Sequence, residues 1–195
     1  MIESLVLDRL GQAQAAQGKN DAAELSYLRS LVLRLGTEEQ GAATAETLEN
    51  LADLYYQRNQ PEAGLRALRQ SLAVRERSFG PRSPEAAQSL SLLGTAYRQL
   101  GRFEEAEQLL RRAGAILREA PQDACVREEL SLAWNSLAEL LAATGRDDEA
   151  ERLRQEALRV LQPADCPPSL GEDPASLAPS RTATRAPPAT RRRTP

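Results

Sequence analysis

Residues 93–107, LGTAYRQLGRFEEAE, contain the turn between two amphipathic helices. Leu93, Tyr97 and nearby apolar residues fall at helical spacing up to Leu100, and a second apolar pattern begins at Phe103. Gly101 lies between the two patterns and can adopt the left-handed backbone conformation that ends a helix. The stretch therefore predicts a helical hairpin.

The same pattern occurs four times along the chain. It can be aligned on the leucines of Leu10-Gly11, Leu51-Ala52, Leu93-Gly94 and Leu137-Ala138, which are 41, 42 and 44 residues apart. Eight residues after each leucine stands a helix-stopping residue: Gly18, Asn59, Gly101 and Gly145. Thirteen residues after each leucine stands a small residue: Ala23, Gly64, Ala106 and Ala150. Twenty residues after each leucine stands another: Ser30, Ser71, Ala113 and Ala157. Because small residues let paired helices approach closely, this period predicts four stacked hairpins.

Capping residues indicate where the helices begin and end. Ser83-Pro84-Glu85 offers an N-cap serine followed by a proline at the first helical position. Thr37 with Gln40 forms a predicted capping box for the second unit, whose second helix opens at Pro61. In the third unit the second helix is predicted from Phe103 to about Glu119, and Pro121 stops it.

These residues resemble the tetratricopeptide repeat, in the version of about 42 residues found in kinesin light chains and related adaptors. Residues 78–87, SFGPRSPEAA, resemble the loop between repeats in that subfamily, and residues 93–107 are close to its consensus. The resemblance covers roughly residues 2–161 and is weaker in the first unit, where Gln14 replaces an aromatic residue. It implies an all-α, right-handed superhelical solenoid of about four hairpins that serves as a cargo or scaffold adaptor.

The predicted array has units at about 2–36, 37–78, 83–120 and 122–161. Residues 162–195 are rich in Pro and Arg with little to bury, so we expect a disordered tail. A single long coiled coil is the alternative fold, but glycines and prolines between the helices interrupt any continuous heptad.

Composition excludes several classes of function. The 195 residues include no histidine, which removes the commonest general base and zinc ligand. No phosphate-binding glycine loop or CxxC pair is present, so we expect no enzyme, cofactor or metal site. No apolar stretch is long enough to span a membrane, and no secretory signal is evident. Cys125 and Cys166 are far apart, which favours a reducing compartment and a cytoplasmic location.

A binding surface is predicted on the first helix of each unit, because these helices line the concave face of such a solenoid. Positions opposite the buried stripe give the candidate peptide-binding groove: Asp8, Gln12, Glu46, Glu49, Asp53, Tyr56, Ser91, Thr95, Arg98, Asn135 and Glu139. Five of these residues are acidic and only Arg98 is basic. The pattern predicts an acidic or polar groove for a peptide of basic or polar character, and it disfavours nucleic acid. A solvated helix face without a ligand would give the same pattern.

The leading interpretation is a non-enzymatic adaptor or scaffold that binds a partner protein or peptide. The alternative is a self-associating structural module, or the terminal part of a larger repeat-containing sensor or scaffold. Apolar residues on more than one side of residues 1–7 favour that alternative, and we expect this edge to contact an upstream repeat or a second copy. At the other end of the array, the position equivalent to Tyr27, Leu68 and Leu110 in the earlier units is occupied by Arg154. A charged residue there is typical of a terminal repeat whose last helix faces water.

Overall fold

The computed structural model describes residues 2–34 and 41–162 of the chain. These residues form eight α-helices and no strand. The helices are α1 (Ile2–Ala16), α2 (Asn20–Arg34), α3 (Gly41–Gln57), α4 (Pro61–Phe79), α5 (Pro84–Gln99), α6 (Phe103–Glu119), α7 (Ala124–Ala143) and α8 (Asp147–Leu161). The predicted capping box at Thr37 and Gln40, Cys166, and the predicted tail beyond Gln162 lie outside the described residues.

Consecutive helices pair as α1/α2, α3/α4, α5/α6 and α7/α8, and adjacent pairs stack on one another. Each pair is joined by a short turn with one residue in the left-handed region. These residues are Gly18 (φ 72°), Asn59 (φ 57°), Gly101 (φ 74°) and Gly145 (φ 78°). The four predicted helix-stopping residues are confirmed, and the all-α solenoid of four hairpins with them.

Two side chains cap the start of first helices. The Ser83 hydroxyl accepts a hydrogen bond from the Ala86 amide at 3.1 Å, and the Asp123 carboxylate accepts one from the Val126 amide at 2.8 Å. Both bonds satisfy amides that have no partner within their helices, which fixes where α5 and α7 begin.

Small residues bring the paired helices together. Ala23, Ala106 and Ala150 are fully buried between the helices of their hairpins. A Cβ atom on Gly94 would lie 2.8 Å from Cγ of Leu110, so the backbone of α5 approaches this leucine too closely for any larger residue. The resulting core runs through all four hairpins in two adjoining clusters of alanine, leucine and aromatic side chains.

Taken together, the first helices of neighbouring hairpins contact one another more than the second helices do. Direct contacts join α1 to α3 and α5 to α7, whereas the pairs of neighbouring second helices make fewer. The faces of α1, α3, α5 and α7 that are turned away from the second helices therefore form an inner wall. No helix in residues 2–34 and 41–162 is long and apolar enough to cross a membrane.

Candidate functional site

The inner wall contains the candidate groove. All of the predicted groove residues lie on first helices, with two on α1, four on α3, three on α5 and two on α7. Their surroundings differ, however, and the structure divides them into residues held in buried contacts and residues open to solvent.

Asp8 is not part of an open surface, and the prediction that it faces the groove is wrong. It is buried, with 8% of its surface exposed, and its carboxylate forms an ion pair with Arg34 of α2. The Thr47 hydroxyl of α3 donates a hydrogen bond to Asp8 Oδ1 at 2.9 Å, and Arg34 Nη1 donates to the same hydroxyl at 2.6 Å. This contact joins the first hairpin to the second.

Glu49 occupies the equivalent position in the second hairpin, and its side chain is mostly buried, with 17% of its surface exposed. Its carboxylate accepts hydrogen bonds from Ser71 Oγ at 2.7 Å and from Arg75 Nη2 at 3.1 Å, both on α4. Loss of hydration raises the pKa of Glu49, although the hydrogen bond from Ser71 and the charge of Arg75 oppose that rise. Glu49 is therefore also engaged within the chain.

The contacts of Glu49 continue along the wall. Arg75 also donates to Gln88 of α5, and Gln88 Nε2 donates to Glu129 Oε1 of α7 at 3.1 Å. Burial raises the pKa of the Glu129 carboxyl. A chain of polar side chains thus crosses α3, α4, α5 and α7 beside the groove.

The sequence-based prediction of the groove does not include three polar residues that make these contacts: Arg34, Arg75 and Glu129. A signal for the two arginines was present, because each stands 24 residues after its aligned leucine, Leu10 or Leu51. That shared register places both guanidinium groups against the acid of their own hairpin.

The open acidic part of the wall is Glu46 and Asp53 on α3. Both are exposed, and neither forms an ion pair within the part of the chain that the structure describes. Partial desolvation of the Asp53 carboxyl raises its pKa. Gln12 on α1 and Asn135 on α7 are also exposed. The open acidic surface is therefore narrower than predicted and is concentrated on the second hairpin.

Towards α7 the wall is balanced in charge. Arg98 Nη2 lies 2.8 Å from Glu139 Oε2, which pairs the predicted base with one of the predicted acids. Ser91 and Thr95 of α5 are half-buried, and 60% of the surface of Leu132 on α7 is exposed. This end offers a polar surface with an apolar contact point.

Three polar atoms of the wall have no hydrogen-bond partner in the described chain: Tyr56 Oη, Ser91 Oγ and Arg98 Nε. Burial, and secondarily the charge of Glu62, raises the pKa of Tyr56 to about 12, so its hydroxyl remains a donor at neutral pH. Buried polar groups normally have partners, so water or a ligand is needed to complete these three.

Within residues 2–34 and 41–162, no group of histidine, cysteine, aspartate and glutamate side chains could hold a metal ion. Cys125 is exposed and forms no disulfide in that part of the chain. The chemistry available on the wall is that of hydrogen bonding, charge and apolar contact.

Comparison with known proteins identifies the repeat. Two family models, both described as tetratricopeptide repeat, match residues 43–119 and 133–167. The fold is similar to the crystal structure of BtubC (BKLC) from P. vanneervenii, with a TM-score of 0.71 and 20% sequence identity over 96% of this chain and 71% of that chain. No curated protein sequence matches.

Proposed function

Because this chain belongs to the tetratricopeptide repeat family, whose repeats generally mediate protein–protein interaction, we propose that it is a non-enzymatic adaptor or scaffold. Its ligand is a flexible peptide segment of a partner protein, bound along the inner wall of an array at residues 2–161. We place this activity in the cytoplasm, as the cysteine usage predicts.

The observation that carries the proposal is the pair of open carboxylates at Glu46 and Asp53. Other acids of the wall are engaged by arginines, as Asp8 is by Arg34 and Glu49 by Arg75. Within the described chain, Glu46 and Asp53 have no such partner, and they lie seven residues apart on the same face of α3. Since like charges in a concave surface reinforce one another, this part of the wall attracts a lysine or arginine side chain.

The rest of the wall suits the remainder of such a peptide. Thr95, Asn135 and the Arg98–Glu139 pair offer donors and acceptors to a peptide backbone, while Leu132 offers an apolar contact. The packed hairpins hold these groups in place before binding, so only the peptide loses conformational freedom. We therefore expect a ligand with a basic residue near α3 and polar or small apolar residues towards α7.

Selection from a random peptide library tests the proposal. Peptides selected on the wild-type chain should be enriched in lysine and arginine, and their Kd is then measured by fluorescence anisotropy. We expect the Glu46→Lys/Asp53→Lys variant to weaken binding by at least about tenfold, which corresponds to about 1.4 kcal/mol.

The matched control is Glu104→Lys/Glu156→Lys, which makes the same change in net charge at exposed positions of the second helices α6 and α8. It should leave the Kd within about twofold, well under the 1.4 kcal/mol of a tenfold change. Enrichment of acidic peptides, or equal weakening by both variants, would contradict the proposal. Glu49 is unsuitable for charge reversal because a lysine there would face the buried Arg75.

Self-association is a second candidate function, and one observation favours it. In the first hairpin 58% of the surface of Val6 and 44% of that of Leu10 are exposed, and further apolar residues surround them. We propose that this edge, which the sequence predicts as a homo-oligomer surface, binds a second copy of the chain.

A further inference from the structure

The N-terminal face of the first hairpin is an unpartnered copy of a surface that is buried in every later hairpin. We define the leading face as Val6, Leu10 and Ala13 of α1, which are all exposed. The nine residues in the same register of the later first helices are 0–5% exposed. They are Thr47, Leu51 and Leu54 on α3, Ser89, Leu93 and Ala96 on α5, and Ala133, Leu137 and Leu140 on α7.

In each later hairpin this surface is covered by the second helix of the hairpin before it. Arg34 of α2 contacts Thr47 of α3, and Ser71 of α4 lies 3.1 Å from Ser89 of α5 through their hydroxyl oxygens. Leu117 of α6 and Ala133 of α7 lie in one core cluster, and Trp134, the residue after Ala133, packs over Gly114 of α6. The leading face is therefore shaped for a second helix of this same repeat.

The other end of the array carries the complementary surface. We define the trailing face as Leu158 and Leu161 of α8, which are 64% and 47% exposed. Leu158 has the register of Gly114, which contacts the following hairpin through Trp134. Leu161 has the register of Arg34, Arg75 and Leu117, which are all buried. In the earlier second helices these registers face the next hairpin. In α8, the last helix of the array, they are occupied by two exposed leucines.

The two faces match in polarity, register by register. Between the first and second hairpins, the pair at this register is polar and consists of Arg34 and Thr47. Between α6 and α7, the pair at the same register is apolar and consists of Leu117 and Ala133, which lie in one core cluster. The corresponding pair between two copies is Leu161 and Val6, both apolar.

The faces also match in volume and charge. Inside the chain, the small residue Gly114 packs against the large Trp134. At the same register between two copies, Leu158 would pack against Leu7, two side chains of intermediate size. Glu107 of α6 pairs with Arg146, the residue before α8, at 2.8 Å. The same register between two copies places Glu151 beside Lys19.

We propose that copies of this chain stack end to end, with the trailing face of one copy on the leading face of the next. The contact repeats the packing between neighbouring hairpins inside the chain, and it rests on the self-association proposed above, independently of the peptide groove. It joins two different faces, so it produces open chains of copies or a closed ring rather than only a two-fold dimer.

Sedimentation velocity of the full chain tests the stacking with two variants of exposed residues. Val6→Asp/Leu10→Asp removes the leading face, and Leu158→Asp/Leu161→Asp removes the trailing face; circular dichroism confirms that each remains helical. The wild type should form larger species as its concentration rises, and each variant alone should remain a monomer. An equimolar mixture of the variants retains one intact face of each kind, so it should form a one-to-one dimer and nothing larger.

Other results would overturn the proposal in distinguishable ways. A wild type that stays monomeric at every concentration would rule out self-association altogether. If the leading-face variant is monomeric while the trailing-face variant still dimerises, two leading faces pair with each other, so self-association survives and stacking does not. A wild type that associates only after removal of residues 163–195 would assign one of the faces to that segment.

A charge exchange gives an independent readout. Lys19→Glu should weaken stacking, since it places two acids together, and adding Glu151→Lys in the same chain should restore it. Equal association by wild type and Lys19→Glu would show that this register is not in contact.

Discussion

At the scale of single residues, the contact of Asp8 with Arg34 is the most buried ion pair in the described chain, with side-chain exposures of 12% and 3%. A carboxylate removed from water is stable there only while its partner remains. Glu49 and Arg75 repeat the arrangement one hairpin later, with side-chain exposures of 17% and 4%. Each pair joins the two helices of one hairpin, and its arginine also donates a hydrogen bond to the next hairpin, from Arg34 to Thr47 and from Arg75 to Gln88.

We predict that Arg34→Met lowers the free energy of unfolding by about 3 kcal/mol, because it leaves Asp8 buried without its counter-charge. The double variant Asp8→Leu/Arg34→Met should lose less than Arg34→Met alone, since no buried charge remains. Urea denaturation measures both changes. The control is Arg82→Met, which breaks the exposed pair with Glu119 and should cost less than about 1 kcal/mol. A similar loss in Arg34→Met and Arg82→Met would contradict the prediction.

The raised pKa of Asp53 predicts how the stability of the folded chain changes with pH. Desolvation raises this pKa above its unfolded value, so the folded chain binds the proton more tightly than the unfolded chain does. The contribution of Asp53 to stability is therefore greatest at acidic pH and declines as the pH rises through the folded pKa. We expect Asp53→Asn to raise the melting temperature at neutral pH and to lose this advantage on acidification.

The opposite sign is expected for Glu105, whose pKa is lowered by the hydrogen bond from Arg102. Glu105→Gln should slightly reduce stability at neutral pH and have no effect once the carboxyl is protonated. Melting curves across the acidic and neutral range distinguish the two variants. A pH dependence of the same sign in both would contradict the assignment.

These pairings could not be predicted from the sequence of the first helices. Asp8 and Glu49 share one register, two residues before the aligned leucines of α1 and α3. Whether a carboxylate at that register is open or paired depends on a second helix that packs beside it. Arg34 and Arg75 supply the pairing, and the third hairpin has Leu117 at their register. The distribution of charge on the wall is thus a tertiary property.

At the scale of the helices, more could be predicted, because turns and caps are local. Gly18, Asn59, Gly101 and Gly145 end the first helices as expected, each with a positive φ. Ser83 caps α5, and Pro61 opens α4. These positions depend on backbone conformation and on a few neighbouring residues, which the sequence specifies directly.

Packing between helices of different hairpins depends on matched volumes. A Cβ atom on Gly114 would lie 2.9 Å from Nε1 and 3.2 Å from Cδ1 of Trp134. Gly114→Ala would normally favour a helix by about 1 kcal/mol, but overpacking of this contact costs about 1–3 kcal/mol. We predict a net loss of stability, measured by urea denaturation.

A compensating variant isolates the cause. Trp134→Phe replaces the indole by a smaller ring and removes Nε1, the atom that a methyl group on residue 114 would approach most closely. Gly114→Ala should therefore be tolerated better in the Trp134→Phe background than in the wild type. Equal effects in the two backgrounds would show that contact with Trp134 does not limit residue 114.

At the scale of the whole molecule, the two proposed interactions use different surfaces and different forces. Peptide capture depends on Glu46 and Asp53 of the inner wall, which lie open to solvent. End-to-end stacking depends mainly on apolar contacts of Val6, Leu10, Leu158 and Leu161 at the ends of the array. A stacked assembly would thus continue the inner wall from copy to copy and present several binding sites to one long ligand, which increases its avidity.

Ionic strength should therefore separate the two interactions. Raising NaCl from about 0.1 M to about 1 M shortens the Debye length from about 10 Å to about 3 Å, which screens exposed charges. We predict that the Kd for a basic peptide rises by at least about tenfold, or about 1.4 kcal/mol, over this range. Stacking of copies should change little, because only the Glu151–Lys19 contact is screened while burial of leucine and valine is not. Sulfate, which strengthens apolar burial, should promote stacking further. Anisotropy and sedimentation in the same buffers test the separation, and parallel weakening of both interactions by salt would show that the ends of the array associate through charge instead.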